Sequence, residues 1–329
     1  MSIGVIRSSA VSVAPMMAWT DRHCRYLLRL TSPSVQLFTE MITTGALLHG
    51  GRTNLLDHDA SEHPLAIQLG GNHPDALAQC ARLAAARGYD EVNLNVGCPS
   101  ERVQDGAIGA CLMASPRLVA ECVSAMRSAV DIPVTVKCRL GIDDHTSDAF
   151  LDEFVGLVAQ GGCERFYVHA RIALLSGLSP AQNRSIPPLR HDRVIALKQR
   201  FKHLHIHLNG GLQTTDDVLE ALQSCDGAMI GRAAYHDPLL LARVHKSVHD
   251  DGWLLSAHAL LDGYRPYLES QMHAGVPLKS MTRHLLGLFN GMVGARHYRQ
   301  VLSDAKRLTA NDATILDDAV AMLRERSAA

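Results

Sequence analysis

Short apolar runs recur along the first two-thirds of the chain, and most are followed by a longer stretch whose apolar residues return every three or four positions. Eight of the runs have the length of buried strands. They are VSVAPM (11–16), SVQLFTEM (34–41), PLAIQLG (64–70), EVNLNVG (91–97), PVTVKCRL (133–140), RFYVHA (165–170), HIHLNGG (205–211) and GAMIGRA (227–233). Helix-start signals open several of the stretches between them. Thr20 precedes DRHCRYLLRL, Asn72 precedes HPDALAQCARLAAA, Ser115-Pro116 opens RLVAECVSAMRSAV, and Thr214 precedes TDDVLEALQS. Strand then helix, repeated, calls for parallel pairing with crossovers. Eight such units in about 235 residues predict an α/β fold of the (β/α)8 TIM barrel type. A doubly wound sheet would place G-x-G-x-x-G at the first strand–helix turn, and the sequence has none there.

Past residue 243 the strand-like runs stop. WLLSAHALLDGYRPYLESQMHAG, SMTRHLLGLFNGMVGARHYRQVLSDA and ATILDDAVAMLRER read as helices broken by Gly or Pro. The expected organisation is therefore a barrel over residues 1–243 and a smaller all-α domain over 244–329.

Composition narrows the setting. Apolar content of 47% with 20% charge is that of a soluble globular chain, and no window approaches a membrane-spanning run. The first ten residues lack the apolar core of a secretory signal. The eight cysteines are scattered, with no CxxC pair. A reduced, cytoplasmic protein with no structural metal is expected. Net charge of −1 excludes a uniformly nucleic-acid-coating protein but leaves room for a local basic patch.

Barrel active sites form at the carboxyl ends of the strands. Those ends here carry Met16, Met17, Glu40, Gln68, Asn95, Lys137, His169, Asn209 and Arg232. Lys137 sits in an otherwise apolar strand, where a lysine without an anionic partner is expensive. NGG (209–211) follows the seventh strand and IGR (230–232) lies in the eighth. Glycines there let backbone N–H groups approach a ligand closely, and this corner is the usual phosphate site of the fold. FMN fits such a mouth, with its phosphate at the glycine-rich loops and Lys137 beside the ring. The fourth run ends in NLNVGCPS (93–100), which puts Asn93 and Asn95 on one strand face and a thiol, Cys98, on a proline-stiffened turn.

The stretches VAPMMAWTDRHCR, TEMITTGALLHG, QLGG, NLNVGCPS with GACLM downstream, VTVKCRLGIDD, VHAR, SGLSPAQNRSIPPL, LNGG and MIGRAAY resemble the tRNA-dihydrouridine synthases, most closely their A subfamily. The similarity continues in GLFNGMVGARHYRQVL and so covers most of the chain. It implies that NADPH reduces a bound FMN, and that a hydride then passes from flavin N5 to C6 of a tRNA uracil. The family's proton donor to C5 maps onto Cys98. A thiol serving as an acid needs no activating base, because an ordinary cysteine is protonated at neutral pH. The same resemblance implies FMN contacts from Pro15, Met16, Met17, Gln68, Lys137, His169, Asn209, Gly210, Gly211, Gly231 and Arg232. Asn95 would then meet the edge of the uracil, and U20 and U20a of the D-loop would be the targets.

A base inside folded tRNA must be extruded to be reached, and the phosphates outside must be neutralised. Lys279, Arg283, Arg296, Arg299, Lys306 and Arg307 face a single acid, Asp304, in the helical part. The long loop after the sixth strand adds Arg171, Arg184, Arg190 and Arg193 against Asp192. Arg184, Arg296 and Arg299 are the expected contacts to the tRNA D-arm, and no protein partner is evident. Three other readings stay open on the residues alone. One is an FMN barrel acting on a free pyrimidine, as a dihydroorotate dehydrogenase does. Another is a metal-dependent hydrolase using His203, His205 and His207. The third is a non-catalytic RNA-binding module.

Overall fold

The computed structural model describes residues 10–50 and 53–323. Its eight strands are β1 (Val11–Val13), β2 (Leu37–Thr43), β3 (Leu65–Gly70), β4 (Glu91–Val96), β5 (Val134–Arg139), β6 (Arg165–His169), β7 (His205–Asn209) and β8 (Gly227–Ile230). All pair in parallel in one sheet, in the order β1-β8-β7-β6-β5-β4-β3-β2. The seam between β1 and β2 closes through the Ser12–Gln36 bridge, with Val13 N donating to Gln36 O and Gln36 N to Val11 O, each at 2.9 Å. The sheet is therefore the expected barrel.

Helices α1 (Arg22–Thr31), α2 (Pro74–Ala86), α3 (Pro116–Arg127), α4 (Asp148–Gln160), α5 (His191–Arg200), α6 (Thr215–Ser224) and α7 (Leu239–His249) surround it. A shorter helix, Thr44–Leu48, follows β2.

The strands depart from the apolar runs at their ends. β1 stops at Val13 because Pro15 has no N–H to give the ladder and the chain turns at Met16. β2 begins three residues late and runs on to Thr43, since Ser34–Gln36 lies at the seam while Met41–Thr43 still pair with β3 beyond an irregularity. Caps differ too. Asp21, not Thr20, caps α1, its carboxylate accepting from His23 N and Cys24 N at 3.0 Å, while Thr20 turns its hydroxyl back to Met16. His73 stands at the cap position of α2, one residue past Asn72, with Pro74 opening the helix. Thr214 caps α6 as expected, in a reciprocal box with Asp217.

Outside the strands, α2 to α6 bury Leu77, Val119, Val123, Leu151, Phe154, Leu197 and Val218 against the barrel wall. Inside it, Ala14, Phe38, Ala66, Tyr167 and Met229 form a small apolar layer. The rest of the interior is polar, and that is where the chemistry lies. α7 crosses residue 243 and buries Leu240, Leu241 and Val244 in the barrel's core.

Beyond it, α8 (Ala257–His273) and α9 (Ala295–Leu302), with short helical turns between and after them, build a second core. Tyr264, Leu268, Met281, Leu285, Phe289, Tyr298 and Ile315 fill that core, and Leu27 of α1 reaches into it. The helical region is thus bolted to α1: Tyr26 stacks on Tyr267 at 3.8 Å between ring centroids, and Tyr264 Oη donates to His23 O. A polar clasp adds to the joint, since Arg283 Nη2 bonds Asp21 at 2.8 Å and His284 bonds the same carboxylate at 3.0 Å. The end of the expected last helix, past residue 323, lies outside the described residues, as do residues 1–9. Among the described residues no helix is long and apolar enough to cross a membrane.

Candidate active site

At the carboxyl end of β4 the chain leaves the barrel wall through Gly97 and Cys98. The turn is held by its backbone: Asn95 Oδ1 accepts from Gly97 N at 3.1 Å and Cys98 N at 3.0 Å, and Cys98 O accepts from Ala110 N at 2.9 Å. Gly109, at φ +77°, brings this second contact close, since a Cβ there would lie 2.5 Å from Cys98 O. That explains why GACLM matters to a turn ten residues upstream. The thiol itself is half-buried, and Cys98 Sγ lies 3.5 Å from Ser100 Oγ. No histidine or carboxylate is hydrogen-bonded to it among the described residues. The other cysteines are buried, except Cys111, which bonds Ile108 O.

Beside the turn, the end of β5 and the segments that follow β6 and β8 gather positive charge. Lys137 Nζ donates to Asn209 Oδ1 at 3.0 Å, a neutral partner. Burial, and then the neighbouring Arg139, push Lys137 down to about 8 from its usual 10.5. Arg139, Arg171, Arg184 and Arg232 lie close enough to depress one another or His169 electrostatically. Burial first, and then Arg139, Lys137, Arg171 and Arg184, hold His169 well below its ordinary pKa, so its ring is neutral at pH 7. Among the described residues none of these five cations is ion-paired with a carboxylate. Glu40, the one acid at a strand end, accepts instead from Ala18 N.

The glycines of the mouth have the conformations a close approach needs. Gly210 and Gly211 have φ +103° and +76°, and a Cβ on Gly210 would strike the His169 ring at 2.6 Å. Before Gly231 the space is open, with no protein atom within 4 Å of an added Cβ. Five unpaired cations, positive-φ glycines and open room at β8 fit a phosphate-bearing planar group. Pro15 and Met16 border the site half-buried, whereas the Met17 side chain projects outward, 62% exposed, leaving its backbone as the part that can face a ligand.

Gln68 and Asn95 are buried in the interior and bonded to each other, Asn95 Nδ2 donating to Gln68 Oε1 at 2.8 Å. Asn95 has spent its oxygen on the Cys98 turn, so what it retains for a base is an N–H. Arg184 is exposed on the rim, its carbonyl 3.4 Å from Arg232 Nη2. Arg296 and Arg299 lie on the exposed face of α9, and Arg299 bonds Asn290. Two cations of the expected basic run are committed elsewhere: Arg283 to Asp21, and Arg307 to Asp318. The three histidines of the metal alternative divide: His203 meets Phe201, and His207 packs edge-on to Tyr167 at 4.9 Å inside the barrel. Among the described residues no three His, Cys, Asp or Glu side chains converge to hold a metal.

Two functional candidates escape a reading of the strand ends alone. Arg139, two residues past Lys137 and on the same strand face, is buried and donates to Gly97 O at 3.0 Å, Ile172 O at 3.1 Å and Asn183 O at 2.9 Å. It ties the Cys98 turn to the loop after β6. Gln104 Nε2 does the same at the far side, bonding Pro99 O and Leu175 O. The other candidate is Glu91, at the barrel floor. It is ion-paired with Arg165 at 2.9 Å and accepts from Thr135 Oγ1 at 2.6 Å and from the Tyr167 hydroxyl. Burial raises its pKa, opposed by the Arg165 charge and these hydrogen bonds. Its alternation with Asn93 and Asn95 in EVNLN was the available signal.

Fold and mouth together define a (β/α)8 barrel with a cationic mouth and a half-buried thiol at its rim. The family model for dihydrouridine synthases matches residues 12–325. A tRNA-dihydrouridine(20/20a) synthase of Pseudomonas syringae pv. tomato is 56% identical over 96% of this chain and 94% of its own length. Proteins of the same name from Vibrio parahaemolyticus and Escherichia coli K12 are 51% and 50% identical, over 96% and 97% of this chain and 97% and 93% of theirs. This chain belongs to the dihydrouridine synthase family. Among solved structures, a 2-naphthoyl-CoA reductase complex superposes with a TM-score of 0.57 at 13% identity, over 72% of this chain and 50% of that one, which speaks for the fold alone.

Proposed function

We propose that the chain reduces uridines of the tRNA D-loop to 5,6-dihydrouridine, at positions 20 and 20a as in the names of its relatives, with FMN as its cofactor and NADPH as reductant. The observation that carries this reading is the half-buried Cys98 thiol, placed by backbone contacts at the rim of a mouth whose cations are not ion-paired with any carboxylate among the described residues. Bound flavin would supply the hydride that adds to uracil C6. Arg232 and the N–H groups of Gly210, Gly211 and Gly231 would bind its phosphate, and Lys137 and Gln68 the ring, with His169 and the Pro15–Met17 backbone lining it.

Cys98 Sγ–H then gives its proton to C5 on the opposite face, and the thiolate recovers a proton from solvent. Asn95 orients the base through its remaining N–H. Arg139 and Gln104 keep the thiol turn registered against the loop after β6, whose rim residue Arg184 meets the tRNA backbone. In this reading residues 1–243 carry the chemistry. The helical part, 244–329, grips the D-arm through Arg296 and Arg299, and the enzyme works in the cytoplasm.

The test is mass analysis of tRNA from cells whose enzyme carries Cys98→Ala. The two-hydrogen increment on D-loop uridines should disappear while the purified variant keeps its flavin absorbance. Persistence of the increment would refute the acid role, and a colourless wild-type protein would refute the flavin.

A further inference from the structure

β4 carries Glu91, Asn93 and Asn95 on one face, and hydrogen bonds to its two neighbours join them into a single line. Asn93 Nδ2 donates to Thr135 Oγ1 of β5 at 2.8 Å, and Thr135 donates onward to Glu91. Gln68 Nε2 of β3 donates to Asn93 Oδ1 at 2.8 Å, and Asn95 Nδ2 donates to Gln68 Oε1. The line ends where Asn95 Oδ1 receives Gly97 N and Cys98 N. Every link donates in the same direction, from the Cys98 turn down to the carboxylate.

That polarity follows from Glu91. A carboxylate has no hydrogen, so Thr135 must donate to it, and the threonine oxygen is then free to accept from Asn93. Asn93 therefore turns its NH2 toward Thr135 and its oxygen toward Gln68, and Gln68 repeats the choice toward Asn95. In isolation each amide could take either orientation; with an anion at the floor and two backbone N–H donors at the Cys98 turn, only one satisfies every buried group. Glu91, Gln68, Asn93 and Thr135 are all 2% exposed or less, so solvent does not repair a wrong choice.

We propose that Glu91 is a positioning residue for the Cys98 turn, acting through Thr135, Asn93, Gln68 and Asn95 over about 13 Å of β4. The proposal rests on the reading of Cys98 as the proton donor. Its weight comes from geometry: a misplacement of about 1 Å at a reacting group can cost on the order of a hundredfold in rate.

Thr135→Val tests it, because the valine nearly keeps the volume and removes the hydroxyl that links Asn93 to Glu91; Thr135→Ser restores the link. Both variants are compared with wild type as full-length, flavin-loaded enzyme on tRNA lacking dihydrouridine. For Thr135→Val, kcat should fall about ten- to a hundredfold while KM for tRNA stays within about threefold. Flavin content should hold, the rate of Cys98 alkylation by iodoacetamide, read on its peptide, should change, and Thr135→Ser should recover most of the loss.

A folded Thr135→Val enzyme with kcat within about twofold of wild type, or one that loses only flavin or tRNA affinity, overturns the proposal. Should the valine variant not fold, Glu91→Gln replaces it. A glutamine loses the anion and can offer its NH2 to Thr135, leaving the line fixed only by the N–H groups of the Cys98 turn, so the same fall in kcat is expected and unchanged kcat again overturns the proposal. Wild-type enzyme that reduces no uridine would fail the functional reading; active wild type with indifferent variants fails only the relay.

Discussion

Replacing Lys137 by methionine keeps the aliphatic stem and removes the ammonium, and the environment of that ammonium fixes what should follow. Its hydrogen-bond partner is the neutral amide of Asn209, and burial and then Arg139 hold its pKa near 8, against 10.5 ordinarily. Between those two values the unfolded chain binds more protons than the folded one. The ligand-free protein should therefore gain stability as pH rises through that window, with a slope of at most ~1.4 kcal/mol per pH unit. Below pH 8 the lysine is charged in both states and its desolvation cost is fully present. Lys137→Met should abolish the slope and leave the ligand-free protein at least as stable as wild type at pH 7.

An anionic ligand beside Nζ reverses the balance by raising the lysine's pKa. Wild-type affinity for FMN should accordingly fall as pH climbs above about 8, by at most about tenfold per unit. At pH 7 the variant loses one charge-assisted hydrogen bond, about 1.5–3 kcal/mol, or roughly ten- to 150-fold in Kd. Fluorescence titration of flavin into apoprotein at pH 7 and pH 9, with urea denaturation at the same pH values, measures both arms. A variant that is less stable without ligand, yet binds FMN with wild-type affinity and pH slope, would show that Lys137 is a packing residue satisfied by Asn209.

Gly210→Ala combines a backbone at φ +103° with a Cβ 2.6 Å from His169, so it should lower stability by ~1–2 kcal/mol and yield protein with reduced flavin absorbance. Burial would raise the pKa of Asp21, but the hydrogen bond and charge of His284, the Cys24 amide and Arg283 outweigh it and hold the carboxyl near 2. Because the folded value lies below the ordinary 3.8, this stabilisation is complete above that pH and is lost as pH falls toward 2. Asp21→Asn should flatten that acid limb in thermal melts, because the amide keeps a capping oxygen but no charge for Arg283 and His284. Arg296→Ala and Arg299→Ala should each weaken tRNA binding and reduce the slope of log K against log salt by about one, with flavin content unchanged.

Where backbone chemistry and period act locally, the chain was readable. Alternating runs and amphipathic stretches declare eight strand–helix units, and Thr214 with Asp217 declares a cap. GCPS places a thiol just past a strand end, where barrel enzymes are open. Even the odd lysine in VTVKCRL marks the mouth, because a charge in an apolar strand demands a partner.

Strand ends and caps shifted wherever a distant group competed. Asp21 outdoes Thr20 as a cap because its second oxygen also serves Arg283 and His284, more than 260 residues away in sequence. β2 extends to Thr43 because β3 is there to receive it.

What the sequence determined by itself is the period of its elements and the residue types at their ends, since both are set by neighbours a few positions away. Only the tertiary structure decided that the buried acid of β4 meets Arg165 from β6, Thr135 from β5 and Tyr167, and that Arg139 joins two loops. It also decided that two cations of the basic run are already paired, and that α1 serves two cores. Those facts depend on which strands lie side by side and at what register, and register is a property of the closed barrel, set by packing all eight strands at once.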